Sequence, residues 1–276
     1  MKKKHLISLL VPAFMLTSCS IFKRTSNVNS LVGTIIHSYV PDFAVNLSAG
    51  RTKLVMSEDA SFASKAKSIE ERELLPFNEY TYGDLMDKVT FDAIDSQETT
   101  ALLGTVIDSS GTPTALNFYK CTFFLKNTGG PTLKYSISIN IKENKPSDDG
   151  RYLDDILRVA FFENSASSIN EHMCYVLAKQ SKTGHLDETG ELDFREAISI
   201  SEEDATEQYP FYGYAEKFED ENTIMTFNRN HFLANEVTRC TVLFWLEGFD
   251  PDNAIPEAPQ GGSLKLSVDI KGSEDD

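Results

Sequence analysis

Basic side chains are scarce in this chain: 26 Lys and Arg stand against 42 Asp and Glu, for a formal net charge of −16. Nucleic-acid binding depends on clustered basic residues that neutralise phosphates, so the composition argues against nucleic acid as a partner. Hydrophobic residues make up 41% of the 276 residues. That fraction and that length exclude a disordered tail and provide enough material for a large hydrophobic core.

Cysteine and histidine are also scarce, and their spacing matches no common metal or catalytic motif. Three cysteines follow Cys19, namely Cys121, Cys174 and Cys240, and no C-x-x-C pair occurs. An odd number allows one disulfide at most, and each of the three lies in a predicted strand, where a small buried side chain is the expected role. The H-E-x-x-H pattern of zinc peptidases does not occur. We therefore predict no catalytic residues.

The first nineteen residues have the order of a secretion signal. Three lysines at positions 2–4 precede an apolar stretch at 6–16, which is shorter than the roughly 20 residues needed to span a bilayer. The stretch ends at Leu16-Thr17-Ser18-Cys19, which resembles the lipobox of bacterial lipoproteins. The resemblance implies that residues 1–18 form a signal peptide and that Cys19 becomes the lipidated first residue.

The lipobox resemblance predicts a protein held at the extracytoplasmic face of the cell membrane. Two or three lipid chains bind a membrane stably, whereas one binds reversibly. The polar residues 19–30 are interpreted as a tether between the lipid and the folded body. An ordinary secretory signal with an incidental cysteine is the alternative interpretation.

The spacing of apolar residues after the tether predicts an all-β fold. Every second residue is apolar from Leu133 to Ile141 and again from Leu264 to Ile270, as in strands with one buried face. Strands are also expected near 119–125, 156–163, 172–179 and 240–247. One-sided strands joined by turns favour an antiparallel β-sandwich, jelly-roll-like, over a parallel α/β sheet. We expect one domain over residues 31–272.

Three segments are expected to depart from the regular sandwich. Apolar residues recur at helical spacing over residues 59–75, which predicts a small helical insertion that ends before Pro76. Residues 181–210 are acidic and rich in turn-forming residues, so we interpret them as a surface loop. Residues 273–276 are expected to form a loose tail.

Three stretches in a fixed order share a further resemblance. They are FFLKNTGG at 123–130, LRVAFF at 157–162, and VLFWLEGFDPD at 242–252, the last followed by GGSLKL at 261–266. In this order they resemble the camelysin and TasA-type group of exported β-sandwich proteins. The resemblance implies a jelly-roll-like sandwich outside the cell with a structural or adhesive role, and some members of the group are described as peptidases. The lipobox, the helix and the acidic loop depart from that group, and no catalytic residue carries over.

Two sets of side chains are candidate sites. Glu247, Asp250 and Asp252 gather carboxylate oxygens after a predicted strand, as calcium prefers, although Asp-Pro-Asp is also an ordinary turn sequence. Arg158 lies among apolar residues in mid-strand, and a buried arginine needs a carboxylate partner. We predict that Arg158 and Glu247 form a structural ion pair. We predict no cofactor, with calcium as the alternative.

The leading functional hypothesis is a non-enzymatic, lipid-anchored surface protein with a structural, adhesive or matrix role. It would contact the membrane through its lipid and could bind a protein partner or assemble with itself. A solute-binding lipoprotein is one alternative, although such proteins usually have two α/β lobes. A camelysin-like secreted peptidase is the other.

Overall fold

The computed structural model describes residues 39–72, 74, 77, 79–80, 105–107, 109–165, 173–180, 182, 185–186, 189–193, 215–247 and 261–274. All of them belong to one compact unit, Ile35–Asp276. The predicted all-β sandwich is confirmed, because two sheets pack against each other and helix is almost absent from the described residues. No helix among those residues has the length and apolar character needed to cross a membrane.

The strands are numbered in chain order, and a 3-10 helix, Leu153–Asp155, lies between β8 and β9. Their bounds are β1 Tyr39–Ser48, β2 Leu54–Ser57, β3 Ser68–Arg72, β4 Glu79–Tyr80, β5 Thr105–Ile107, β6 Pro113–Leu116, β7 Tyr119–Asn127, β8 Leu133–Lys145, β9 Leu157–Ser165, β10 Met173–Ala178, β11 His185–Leu186, β12 Leu192–Asp193, β13 Glu216–Lys217, β14 Thr223–Phe232, β15 Val237–Glu247 and β16 Ser263–Glu274.

Two sheets form the body. The five-stranded sheet has the order β14-β8-β16-β1-β3. The seven-stranded sheet has the order β13-β10-β9-β15-β7-β2, and β4 also pairs with β15. Two short hairpins, β5–β6 and β11–β12, form separate two-stranded sheets. The core between the sheets is built from alternate residues of each long strand, because successive side chains in a strand point to opposite faces.

The alternating run at β8 forms as the sequence predicts. Its buried side chains are Leu133, Tyr135, Ile137, Ile139 and Ile141, and the polar residues between them are partly exposed. The buried set faces the core, so one face of the five-stranded sheet is wet. The same alternation continues in β16, which pairs with β8 along its whole length.

The pairing is not uniformly antiparallel, which corrects the prediction. β1 runs parallel to β16, β10 runs parallel to β13, and β15 runs parallel to β4. A parallel neighbour requires a long connection. The first and last described strands have most of the chain between them, so this requirement is met.

The helix predicted over residues 59–75 is wrong. The segment contains turns followed by β3, which pairs with β1. Side chains at its start bond the local backbone in place of a helical turn: Asp59 Oδ1 accepts from the Ser61 backbone N–H at 2.8 Å, and Ser57 Oγ donates to the Ser64 carbonyl at 2.8 Å. Phe62 has φ of 53°, a value outside the right-handed helical region. Ile69 is buried against the core from β3.

Two further predicted segments change in the structure. Ser273 and Glu274 belong to β16 and lie opposite Lys134 and Leu133, so the predicted loose tail is wrong for these two residues; residues 275–276 lie outside the described residues. Within the predicted acidic loop 181–210, the described part includes the β11–β12 hairpin, and most of the rest lies outside.

Candidate functional site: a polar cluster between the sheets

An acidic side chain enters the core because of its position in β9. Leu157, Val159 and Phe161 are buried in the core between the sheets, and Glu163 has the same parity along the strand. The side chain of Glu163 is 1% exposed. A buried carboxylate is costly unless hydrogen bonds or a positive charge compensate it, so the groups around Glu163 decide whether this strand can pack.

Both sheets supply hydrogen bonds to Glu163. Thr238 of β15 donates its hydroxyl to Glu163 Oε1 at 2.6 Å, and the Tyr135 hydroxyl of β8 donates to the same oxygen at 3.1 Å. Arg229 of β14 approaches with Nη1 at 3.2 Å from Oε1 and 3.4 Å from Oε2. Tyr135 and Arg229 belong to the five-stranded sheet and Thr238 to the seven-stranded sheet. Glu163 therefore joins the two layers.

Arg229 extends this arrangement to the turn between β14 and β15. Its Nη2 lies 2.7 Å from Glu236 Oε1, and the Leu233 backbone N–H donates to Glu236 Oε2 at 2.7 Å. The carboxylate of Glu236 thus holds the turn while it shares the arginine with Glu163. We call Tyr135, Glu163, Arg229, Glu236 and Thr238 the inter-sheet cluster.

The environment of the inter-sheet cluster keeps its tyrosine neutral. Burial is the main cause that raises the pKa of Tyr135 well above its ordinary value, and Cys240 and Glu163 add to the rise while Arg229 acts in the opposite direction. A neutral hydroxyl donates a hydrogen bond to the carboxylate, as the geometry shows. What the inter-sheet cluster does chemically is to compensate the buried charge of Glu163 with donors from both sheets.

A second polar cluster lies at the opposite end of the sandwich, where β8 connects to β9. Asp154 and Asp155 of the 3-10 helix are buried, and Lys179 Nζ lies 2.6 Å from Asp154 Oδ2 and 2.8 Å from Asp155 Oδ1. Lys182 also pairs with Asp155. Burial acts to lower the pKa of Lys179, but hydrogen bonds to the two carboxylates outweigh it and raise the pKa above its ordinary value. Lys179 therefore stays charged and ties this connection to the end of β10.

The predicted calcium ligands are only partly described. Glu247 is the last residue of β15; it is buried, and it accepts a hydrogen bond from Trp245 Nε1 at 2.9 Å. Asp250 and Asp252 lie outside the described residues. Among the residues that the structure describes, no group of three His, Cys, Asp or Glu side chains is placed to hold a metal ion. A calcium site at Glu247 stays a prediction.

The predicted burial of Arg158 is confirmed. Its side chain is 1% exposed, and Nη1 donates to the Leu157 carbonyl at 3.4 Å. Arg158 lies opposite Trp245 in the β9–β15 register, and Glu247 follows two residues later, so all three side chains share one face of the sheet. This face is the outer one, away from the inter-sheet core. The Arg158–Glu247 ion pair itself stays a prediction.

Sequence reasoning missed the inter-sheet cluster. The signal that was present is parity: an acid at position 163 continues the inward series 157, 159 and 161. Its partners Tyr135, Arg229 and Thr238 come from three other strands, and nothing local in the sequence connects them. Of the predicted cysteines, Cys121 and Cys240 are buried core thiols, as expected, and the side chain of Cys174 is outside what the structure describes.

The predicted lipidation site, Cys19, precedes the described residues. Comparison of the chain with protein-family models, with curated proteins and with solved structures finds no match.

Proposed function

We propose that this protein is a lipid-anchored, extracytoplasmic surface protein whose body has a structural or adhesive role and no catalytic activity. The observation that carries the proposal is the lipobox-like Leu16-Thr17-Ser18-Cys19 behind a basic and apolar leader. A β-sandwich is a common body for exported surface proteins, although a fold alone does not specify a function.

The buried charges of the body support a structural role. Glu163 is occupied by donors from both sheets, and Asp154 and Asp155 are occupied by Lys179 and Lys182. Buried carboxylates that are compensated in this way stabilise one arrangement of the strands. Catalytic carboxylates, by contrast, must reach a substrate.

Metabolic labelling with a radioactive or clickable fatty acid tests the anchor. The wild-type chain, expressed with its leader in a bacterial host, is expected to carry the label, and Cys19→Ala is expected to lose it. Ser20→Ala is the matched control, since it changes the next residue and leaves the thiol in place. A wild-type chain without label, or a Cys19→Ala chain that keeps it, would contradict the proposal.

Incubation with casein tests the non-catalytic part. The purified full chain is expected to leave casein intact with or without a chelator. Cleavage that rises with protein concentration, and that survives a second purification step, would favour the peptidase alternative.

A further inference from the structure

The first and last described strands are parallel neighbours in the middle of the five-stranded sheet. β1 begins with Tyr39 opposite Ser263, the first residue of β16. After one irregularity the register is unbroken from Asp42 opposite Lys265 to Ser48 opposite Lys271. The start of β1 and the end of β16 therefore lie at opposite ends of the sandwich.

This geometry determines how tension would act on the sheet. A pull on the segment before β1 draws that strand along its own axis. If the far end of the body is held, β16 is drawn in the opposite direction. Every hydrogen bond between the two strands then carries load at the same time, in shear. A pull on two points at the same end of the pair would instead break the bonds one after another.

β1 is also held on its other side and on both faces. β3 pairs with it from Asp42 opposite Arg72 to Asn46 opposite Ser68. On the inner face Phe43 is fully buried, and its ring centroid lies 5.3 Å from that of Tyr119 in the opposite sheet.

On the outer face of the same sheet, Asn46 Nδ2 donates to Asp269 Oδ1 of β16 at 3.1 Å. Asp269 Oδ2 also accepts from Asn140 Nδ2 of β8 at 2.9 Å. These side chains connect β1 through β16 to β8. A force on β1 is therefore passed to the centre of the sheet.

We propose that the parallel β1–β16 pair is a shear clamp that carries tension entering the body through the N-terminal tether. The inference rests on the proposed function in one respect, since the lipid at Cys19 is what would make that tether the point of load. It extends that function by assigning a mechanical task to a particular pair of strands.

Single-molecule stretching of the full chain tests the clamp with two matched variants. In both, one handle is at the N-terminus and the other is on an engineered thiol of β16, Lys265→Cys or Lys271→Cys. Both lysines are on the outer face; Lys265 lies at the start of the clamp and Lys271 at its end. Both chains also carry Cys19→Ala, and this parent alone measures background labelling.

The Lys271→Cys attachment loads the clamp in shear, and the Lys265→Cys attachment peels it. We expect a severalfold higher rupture force for the Lys271→Cys chain than for the Lys265→Cys chain. The two chains should have the same midpoint in chemical unfolding, because substitution of a surface lysine changes the free energy of unfolding little. Equal forces, or a higher force at Lys265→Cys, would overturn the clamp. Since neither chain carries Cys19, this outcome is independent of whether fatty acid enters the wild-type protein.

Discussion

On the outer face of the five-stranded sheet, β8 presents polar side chains such as Ser136, Ser138 and Asn140 that are partly exposed. On the outer face of the seven-stranded sheet, the corresponding side chains of β9 and β15 are buried, among them Phe162 and Trp245. The two sheets share one core. They differ in that the outer face of the five-stranded sheet is partly exposed along β8, whereas the outer face of the seven-stranded sheet is buried along β9 and the second half of β15.

The difference explains the two kinds of apolar pattern in the sequence. A strand with one wet face alternates between apolar and polar residues, as β8 does, whereas a strand buried on both faces is nearly continuous in apolar residues, as at 242–246. The continuous pattern therefore indicates a second buried surface outside the core. Arg158 and Glu247 lie on that surface, which is why their charges are almost fully buried.

The largest expected effect comes from the buried outer face. Trp245→Ala removes a side chain that is 1% exposed, and we expect it to lower the free energy of unfolding by about 3–5 kcal/mol. The matched substitution on the wet outer face, Ser136→Ala, is expected to change it by less than about 0.5 kcal/mol. Denaturant unfolding of the full chain measures both. If both substitutions lowered the free energy of unfolding by similarly small amounts, the proposed difference between the outer faces of the two sheets would be contradicted.

An intermediate effect is expected where the sheets are joined. Tyr135→Phe removes one donor to the buried Glu163 carboxylate and is expected to cost about 1–3 kcal/mol at neutral pH. Tyr152→Phe, at a position that is 38% exposed, is the matched control and is expected to cost little. A Tyr135→Phe chain as stable as the wild type would show that the inter-sheet cluster does not hold the layers together.

Measuring stability at alkaline pH tests the same comparison of the wild type with Tyr135→Phe. The pKa of Tyr135 is raised in the folded state, so the unfolded chain loses this proton first, near pH 10. The wild type should then lose stability as pH rises above about 10, and the Tyr135→Phe chain should lose less. The difference in the free energy of unfolding between the wild type and the Tyr135→Phe chain should therefore become smaller above about pH 10. A constant gap from pH 9 to pH 11 would contradict the raised pKa.

The smallest expected effect lies on the wet face itself. Burial acts to raise the pKa of Asp269, but hydrogen bonds from Lys142, Asn46 and Ser267 outweigh it and leave the pKa below its ordinary value. A carboxylate with a lowered pKa stabilises the fold above its unfolded pKa of about 3.9, and this contribution is lost as pH falls through the lower folded value.

Asp269→Asn is therefore expected to cost less than about 1 kcal/mol at pH 7, and the cost should shrink below about pH 4. Ser267→Ala removes one of the donors that lower the pKa of Asp269, so its cost should be smaller and should shrink over the same pH range. Stability measured by denaturant unfolding from pH 7 to pH 3 checks both variants. If the loss of unfolding free energy caused by Asp269→Asn grew as the pH fell, the lowered pKa of Asp269 would be contradicted.

Sequence reasoning succeeded where neighbouring residues alone set the pattern. The strands at β8 and β16 follow from alternation, and the burial of Arg158 follows from its apolar neighbours. It failed over residues 59–75, because the helical spacing of apolar residues there is incidental. Ile69 is buried against the core from β3, whose backbone is bonded to β1 in place of a helix.

The candidate site was less predictable than the fold. Glu163 could have been placed in the core from its parity along β9, but its three donors, Tyr135, Arg229 and Thr238, come from separate strands. A carboxylate predicted to be buried must have hydrogen-bond donors or a positive charge nearby, but the local sequence does not identify the residues that supply them. The partners become known once the sheet order is known.

Taken alone, the sequence determined the acidic charge, the lipobox-like segment that ends at Cys19, and the buried faces of the alternating strands β8 and β16. These properties depend on composition and on neighbours a few positions away. Tertiary structure decided that β1 lies parallel to β16, so that Asn46 bonds Asp269 across 223 positions of chain. The physical reason is that two strands become neighbours when their backbone N–H and C=O groups are hydrogen-bonded on both edges and the apolar faces of both sheets are buried. These conditions depend on the whole chain, so the spacing of nearby residues does not reveal them.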